Sequence, residues 1–401
     1  MKKIALMSLV ASSVLMAGGY QIPESSLNAV ALSAANIAHS SGADAAYYNP
    51  ANMVFMSDEN HMSADLIYIG LDAVSYKGTY KPTATTEDIN SEPETFLVPS
   101  LHYISKNVSG ARFGLSVVVP CGLSKRWKNS VGTYSAEEFT LETVEINPTV
   151  ALPIGDKIGV AIGLRLVHSS GIVKSTAPTG SRDMEADSID FGYNLALSYQ
   201  PTSEIELGLT YRSQIDLTTE GNAKLSAGGG ALTYDGDGSL TVPLPAVLNL
   251  AGAYTFSTQT TVEFVYERSF WSAYEDIDFD FQGNIHPALN AGFGTPIPKD
   301  WKDVNAFRLG VTQELDKMTL MAGMVYGETP VPEKSIGFEL PDSDSFSVSL
   351  GGRYQINEKM DVGLSALYSM RDDRTVNNAS LDGEFTGGNV LMISAGMGYK
   401  F

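Results

Sequence analysis

The sequence predicts an all-β protein: a transmembrane antiparallel β-barrel of about 14 strands with an N-terminal plug, or hatch, inside the lumen. Three observations predict it. Apolar and polar residues alternate with a period of two over consecutive segments at the C-terminal end. Past the N-terminal leader, no stretch approaches the ~18–20 apolar residues of a spanning helix. Very short connections alternate with long ones rich in Gly, Asp and Pro, the asymmetry of tight periplasmic turns and long external loops.

In chain order, the first element is a secretory signal peptide over residues 1–18. It has Lys2 and Lys3, the apolar run Ile4 to Met16, and small residues from Ala17. Removing its two lysines takes the formal charge from -20 to -22. A surface this acidic repels nucleic acid and offers no polybasic membrane anchor. The single cysteine, Cys121, rules out an intramolecular disulfide and stands far from the cleavage site, so no thiol is present there for lipid attachment.

Residues 19–60 do not alternate. Ser25 to Ala38 is rich in Ala, Ser and Asn, compatible with short helices, and Tyr47-Tyr48-Asn49-Pro50-Ala51 reads as a turn entered through Asn-Pro. The economical place for such a segment in a barrel is the lumen, as a hatch; a periplasmic tail is the alternative. Inward-facing Arg165, Arg212, Arg308 and Arg353, with Glu206, Glu263 and Asp361, supply a polar lining to hold it. Arg353→Ala is then expected to loosen the hatch and change conductance in planar bilayers.

Residues 61–401 form the barrel, with strands expected near 61–76, 96–106, 110–119, 139–152, 157–168, 184–200, 204–218, 239–256, 260–270, 302–315, 318–327, 344–356, 360–371 and 387–401. Tilted runs of about 9–11 residues suffice to cross a bilayer. In the last strand Leu391, Ile393, Ala395, Met397, Tyr399 and Phe401 face one side and small or polar residues the other. Closure is required because lipid satisfies no exposed N–H or C=O group. A soluble β-sandwich also alternates. The leader, the terminal Phe401 and tyrosines beside short turns (Tyr199, Tyr254, Tyr354) favour the barrel. The outer membrane of a Gram-negative cell follows as the location, with membrane lipid and lipopolysaccharide as neighbours, Phe401 as the contact for the barrel-assembly machinery, and a monomer as the assembly.

For an anionic headgroup, two cation–indole clusters are candidates at the external ends: Lys125-Arg126-Trp127, and Lys299 to Lys302 around Trp301. Solvated loop charge is the competing reading. Neutral variants at Lys299 and Lys302 are expected to weaken oleate binding. The acidic runs Glu275 to Asp280 and Tyr234 to Gly238 read as solvated loops, since no full twelve-residue calcium loop is present. The histidines lack paired zinc spacing, and no nucleophile elbow, phosphate loop or dinucleotide fingerprint occurs, so neither metal, cofactor nor catalysis is expected.

Four stretches resemble the FadL/TodX-type outer-membrane transporters of long-chain fatty acids and other hydrophobic compounds. These are Gly19-Tyr20-Gln21 with Gly42 to Ala51; Val119-Pro120-Cys121-Gly122-Leu123-Ser124, with Cys121 where Phe is more usual; Phe270-Trp271-Ser272-Ala273-Tyr274; and Trp301-Lys302-Asp303 through Asp344. The resemblance implies a 14-strand barrel whose hatch carries the Asn49-Pro50-Ala51 motif. It also implies capture of ligand in an external groove, transfer to an internal pocket, and lateral release through a wall gap at a kinked third strand. Gly110, Gly114 or Pro120 could produce the kink. The readings kept beside passive, ligand-gated uptake are a general diffusion porin and a surface adhesin or receptor.

Overall fold

The computed structural model describes residues 18–40 and 42–401; the expected signal peptide lies almost wholly outside them. Among the described residues, 14 antiparallel strands close into a barrel. They are β1 (His61–Leu71), β2 (Glu94–Ile104), β3 in two pieces (Arg112–Val118 and Gly122–Lys125), β4 (Glu138–Ile154), β5 (Ile158–Ala177) and β6 (Gly180–Tyr199). Two more interrupted strands follow, β7 (Ile205–Arg212 and Ile215–Ala227) and β8 (Leu232–Leu244 and Ala246–Thr255), then β9 (Thr260–Phe270). The wall ends with β10 (Val304–Glu314), β11 (Met318–Gly327), β12 (Ser345–Asn357), β13 (Met360–Arg371) and β14 (Val390–Lys400). Closure is made by β14 on β1, in register from His61↔Lys400 to Leu71↔Val390. Asn60 and Phe401 then exchange both backbone hydrogen bonds at 3.0 Å, which ties the end of the chain into the ladder.

Period-two alternation produces an inverted globule. Leu97, Ile162, Phe191, Leu350 and Leu364 stand exposed on the outer face, where hydrocarbon is the solvent. Tyr199, Tyr254 and Tyr354 are half exposed beside the short turns, as expected of an interfacial girdle. Inward positions of β1 are instead Ser63, Asp65, Ile67 and Ile69, all buried.

The first strand is shorter than expected. After a break at Asp72-Ala73 the chain re-enters extended structure at Val74–Tyr80, which joins Thr85–Asn90, Arg374–Asn377 and Leu381–Gly387 in a separate four-stranded sheet. The break is mirrored just before β14, where Gly387 and Gly388 both have φ +77. The buried positions change parity across the break, from Ile67, Ile69 and Leu71 to Val74 and Tyr76, and the continuous run of strand-forming residues merges the two segments in the sequence. Elsewhere strands run longer than expected: β5 and β6 have 20 residues each, well beyond a span.

Residues 18–56 lie across the bore. Ser26 caps α1 (Leu27–Leu32), its Oγ accepting from Ala29 N at 3.0 Å. Helix α1 packs on β11, β12 and β13. After α2 (Ala45–Tyr48), Asn49 caps a 3-10 turn (Pro50–Phe55) with Pro50 at its first position, where the missing N–H costs nothing. That turn rests against β4, β5 and β6 on another part of the wall. Two inward glycines make the close approach possible. A Cβ at Gly323 would sit 2.2 Å from the Leu32 carbonyl carbon, and one at Gly159 would sit 2.3 Å from the Ala51 oxygen.

Candidate functional site

Polar contacts from the wall fix the plug in the bore. Glu263 on β9 accepts three backbone N–H groups, from Ile37 and Ala38 at 2.7 Å and His39 at 3.0 Å. Arg308 on β10 donates to Ser33 O at 2.8 Å and pairs with Glu24 (3.3 Å) and Glu267 (3.1 Å). Arg353 on β12 donates to Asn28 Oδ1 at 2.7 Å and pairs with Asp361 at 2.6 Å. The Arg212 guanidinium lies 4.2 Å from the Tyr47 ring centroid. Asn49 Nδ2 bridges Ile37 O (2.8 Å) and Ser198 Oγ (3.0 Å), joining hatch to β6, while its Oδ1 accepts from Ala51 N. Arg165 departs from expectation. Its polar contacts are to the wall, with Glu145 on β4, which also engages Arg212, and with Ser213 O, to which it donates at 2.6 Å.

The third strand is interrupted where Pro120 lies. Its ladder with β2 covers only Leu101–Ile104 against Gly114–Val117. Beyond it β2 pairs with β1 alone, while the second piece of β3 pairs with β4 alone. Between the pieces β3 turns inward and takes the plug as its partner: Ile22 N donates to Pro120 O at 3.0 Å, Gly122 N donates to Tyr20 O at 2.8 Å, and Gln21 bridges Cys121. Pro120 has no N–H to give to a ladder. The other two kink candidates do different work. Gly110 (φ +90) closes the turn between Val108 and Ala111. Gly114 sits in regular ladder, where a Cβ would press on Ala46 and Met53 of the hatch.

Three spaces lie between the external loops and this interruption. The outermost, of 390 Å³, is a groove floored by Phe139, Ile277, Phe279, Ile336 and Phe338, with Arg182 at its edge. The Arg182 guanidinium carbon lies 3.9 Å from the Phe279 ring centroid, and its Nε has no hydrogen-bond partner. The next, of 40 Å³, is enclosed by Tyr20, Leu123, Val173, Val242, Tyr274 and Trp301 among others. Its aromatic wall is a stack of edge contacts, Trp271–Trp301 at 4.9 Å, Tyr274–Trp301 at 4.8 Å and Tyr20–Trp271 at 4.7 Å. Phe139, Lys299 and Glu339 line both spaces and so form the partition between them. The third, of 70 Å³, is bounded by Ile22, Pro23, Tyr47, Pro120 and Pro245.

Lys299 Nζ meets Glu339 Oε1 at 2.6 Å with both side chains largely buried. Burial alone would raise the Glu339 carboxyl, but the ammonium beside it and the hydrogen bond between them hold it below its ordinary value.

Of the two cation–indole clusters, only part of one reaches these spaces. Lys299 and Trp301 do; Lys302 points into solvent and lines none of the three. Lys125, Arg126 and Trp127 instead brace the loops. The Trp127 indole donates to Phe338 O at 2.8 Å, Arg126 is occupied by Glu94 and Glu138, and Lys125 is buried. The polar groups of Arg126 and Trp127 are thus already satisfied by protein, which leaves them unavailable to a ligand, and Lys125 lines none of the three spaces. Sequence reading missed Glu339, Arg182 and Glu145. Glu339 carries one faint signal, a charge inside the apolar run Ile336 to Leu340.

The family model described as outer membrane protein transport protein (OMPP1/FadL/TodX) matches residues 8–401. A long-chain fatty acid transport protein of Escherichia coli O6:H1 is 24% identical over 370 residues, covering 80% of each chain. Outer membrane protein P1 of Haemophilus influenzae is 22% identical, covering 70% of this chain and 67% of its own. In fold, the chain is similar to a Pseudomonas aeruginosa FadL homologue, at a TM-score of 0.84 and 18% identity over 95% of this chain and 99% of that one. It is also similar to the Ralstonia pickettii toluene transporter TbuX, at a TM-score of 0.71 and 18% identity over 93% and 97%.

Proposed function

Since the chain belongs to the outer membrane protein transport protein (OMPP1/FadL/TodX) family, whose members are transport channels of the outer membrane and not enzymes, we propose that it takes up hydrophobic small molecules by passive diffusion and releases them sideways into the bilayer. The observation that carries this reading is the third strand. Where β3 exchanges β2 for Tyr20–Ile22, the wall lacks a ladder between β2 and β3, and the innermost space abuts that place at Pro120.

A ligand captured in the groove moves past the Phe139–Lys299–Glu339 partition, displaces Tyr20 and Trp301 to enter the aromatic pocket, and leaves beside Pro120. Tyr20 links the two events, because its backbone oxygen holds Gly122 while its ring lines the pocket. Ligand that moves the ring therefore loosens the inward turn of β3, which makes the wall opening ligand-gated. The hatch closes the direct path to the periplasm. The driving force is transfer of apolar surface into lipid, roughly 0.8 kcal/mol per methylene, with no aqueous layer to cross below. Relatives named for fatty acids and for toluene agree with an apolar cargo. Phe401, half exposed and stacked on Tyr399, is the proposed contact for the assembly machinery.

The test is uptake by cells whose own outer-membrane channels for hydrophobic compounds have been deleted. Expression of this chain is expected to restore entry of a labelled medium-chain alcohol; entry no faster than in the deletion strain would rule the proposal out.

A further inference from the structure

The charges that line the aromatic pocket and surround the space at Pro120 are matched within the protein. The aromatic pocket has two charged residues among its described lining, Lys299 and Glu339, and they neutralise each other at 2.6 Å. Deeper in, Arg165 and Arg212 share Glu145, and Arg308 is held between Glu24 and Glu267. That is three guanidiniums against three carboxylates around the space at Pro120. Everything else enclosing the pocket is apolar, aromatic, glycine or threonine. Arg182, which has no ion pair among the described residues, stands in the outer groove and does not line the pocket, and the buried Lys125 lines neither space.

From this we infer that the pocket selects uncharged ligands, with Glu339 as the specificity-determining residue: by occupying Lys299 it removes the cation that would otherwise receive a carboxylate. The inference rests on the uptake reading above and names its substrate class as neutral hydrophobic molecules such as alcohols, alkanes and aromatics. A carboxylate entering the pocket must either break a buried ion pair or remain unpaired in an apolar space, and both are unfavourable. An acid passes Phe139 only after taking up a proton. Arg182, over Phe279, is able to hold an anion in the groove; its charge also acts on Glu339, but its side chain does not line the pocket. Glu339 stays ionised near neutral pH, because the Lys299 ammonium outweighs the effect of burial on its carboxyl.

The experiment uses full-length protein in detergent carrying Trp127→Phe, so that of the three tryptophans only Trp271 and Trp301, beside the pocket, report. Quenching by a terminally brominated undecanol is compared with quenching by the matching undecanoate at mildly alkaline pH. The alcohol is expected to bind at least about tenfold more tightly than the carboxylate. Glu339→Gln frees the ammonium and is expected to strengthen undecanoate binding by about tenfold or more, with the alcohol within about twofold of its starting affinity. A Lys299→Met, Glu339→Leu double variant, its folding checked by thermal unfolding, is expected to keep the alcohol and still refuse the carboxylate. Equal affinity of the parent protein for both ligands, or an unchanged ratio in Glu339→Gln, overturns the inference while leaving the uptake reading intact. If the alcohol fails to quench at all, the pocket is not on the ligand path and both readings fall.

Discussion

Glu263 concentrates more of the hatch's backbone on one side chain than any sequence pattern suggests. Its carboxylate accepts from three consecutive amides, Ile37 to His39, in a segment that makes no helix or strand there. Buried N–H groups need partners, and a charged acceptor is about twice as strong as a neutral one. Glu263→Gln keeps an oxygen but loses the charge, so it is expected to cost the local fold about 1–2 kcal/mol. Hydrogen exchange at the Ile37–His39 amides should quicken by about tenfold, the equivalent of ~1.4 kcal/mol; unaltered exchange would remove Glu263 as the anchor. Arg308 presents the opposite case, one cation serving Glu24, Glu267 and the Ser33 carbonyl. Arg308→Leu leaves two carboxylates without their partner and is expected to destabilise by about 3–5 kcal/mol, measured as an earlier thermal transition than that of Glu263→Gln.

At the scale of elements, the decisive features are an interrupted strand and a helix packed directly on wall backbone. Pro120→Ala restores an amide donor to β3 and lets the strand run on beside β2. Uptake of a hydrophobic probe is expected to slow several-fold while binding in the pocket persists; uptake at the original rate counts against a gate at this strand. Helix α1 tests the packing. Gly323→Val places a side chain where the Leu32 backbone already sits, so α1 must shift or β11 must bend. Steady conductance in planar bilayers is expected to rise as the plug is displaced. Gly252→Ala, whose Cβ would meet only Leu207 Cδ2 at 3.5 Å, is the control and should behave as the parent protein does.

The whole molecule is a closed wall with an apolar exterior and a bore filled by its own N-terminal segment. Barrel stability comes from ladders that pair the strands around the wall, interrupted between β2 and β3, whereas the hatch is held mainly by polar contacts to inward side chains. The two are therefore expected to separate. Deleting residues 20–56 should leave a folded barrel, because Glu263, Arg308 and Arg353 exchange their hatch partners for water that enters the bore. It should also produce large, steady currents. A deletion protein that does not fold, or that conducts no better than the parent, would show that the hatch is part of the wall's structure instead of a plug within it.

Alternation by itself determined the strand count and the inside–outside assignment, because a period of two is a local property that a lipid exterior enforces at each position. The Asn49-Pro50-Ala51 turn and three of the four inward arginines that grip the hatch, Arg212, Arg308 and Arg353, were equally readable, since a polar residue on the inner face of a lipid-bounded wall has only the lumen to address. What only the tertiary structure decided is which charges cancel. Glu339 lies 40 residues from Lys299, and Glu145 lies 20 from Arg165 and 67 from Arg212. Nothing local says that these pairs meet. Nor does the sequence distinguish Pro120 from Gly110 and Gly114 as the site of the inward turn, because that depends on Tyr20–Ile22 arriving from the other end of the plug to complete the hydrogen bonds β2 no longer makes. Pairings between distant segments depend on how the barrel closes around its hatch, and closure is a property of the assembled ladders that no short window of residues contains.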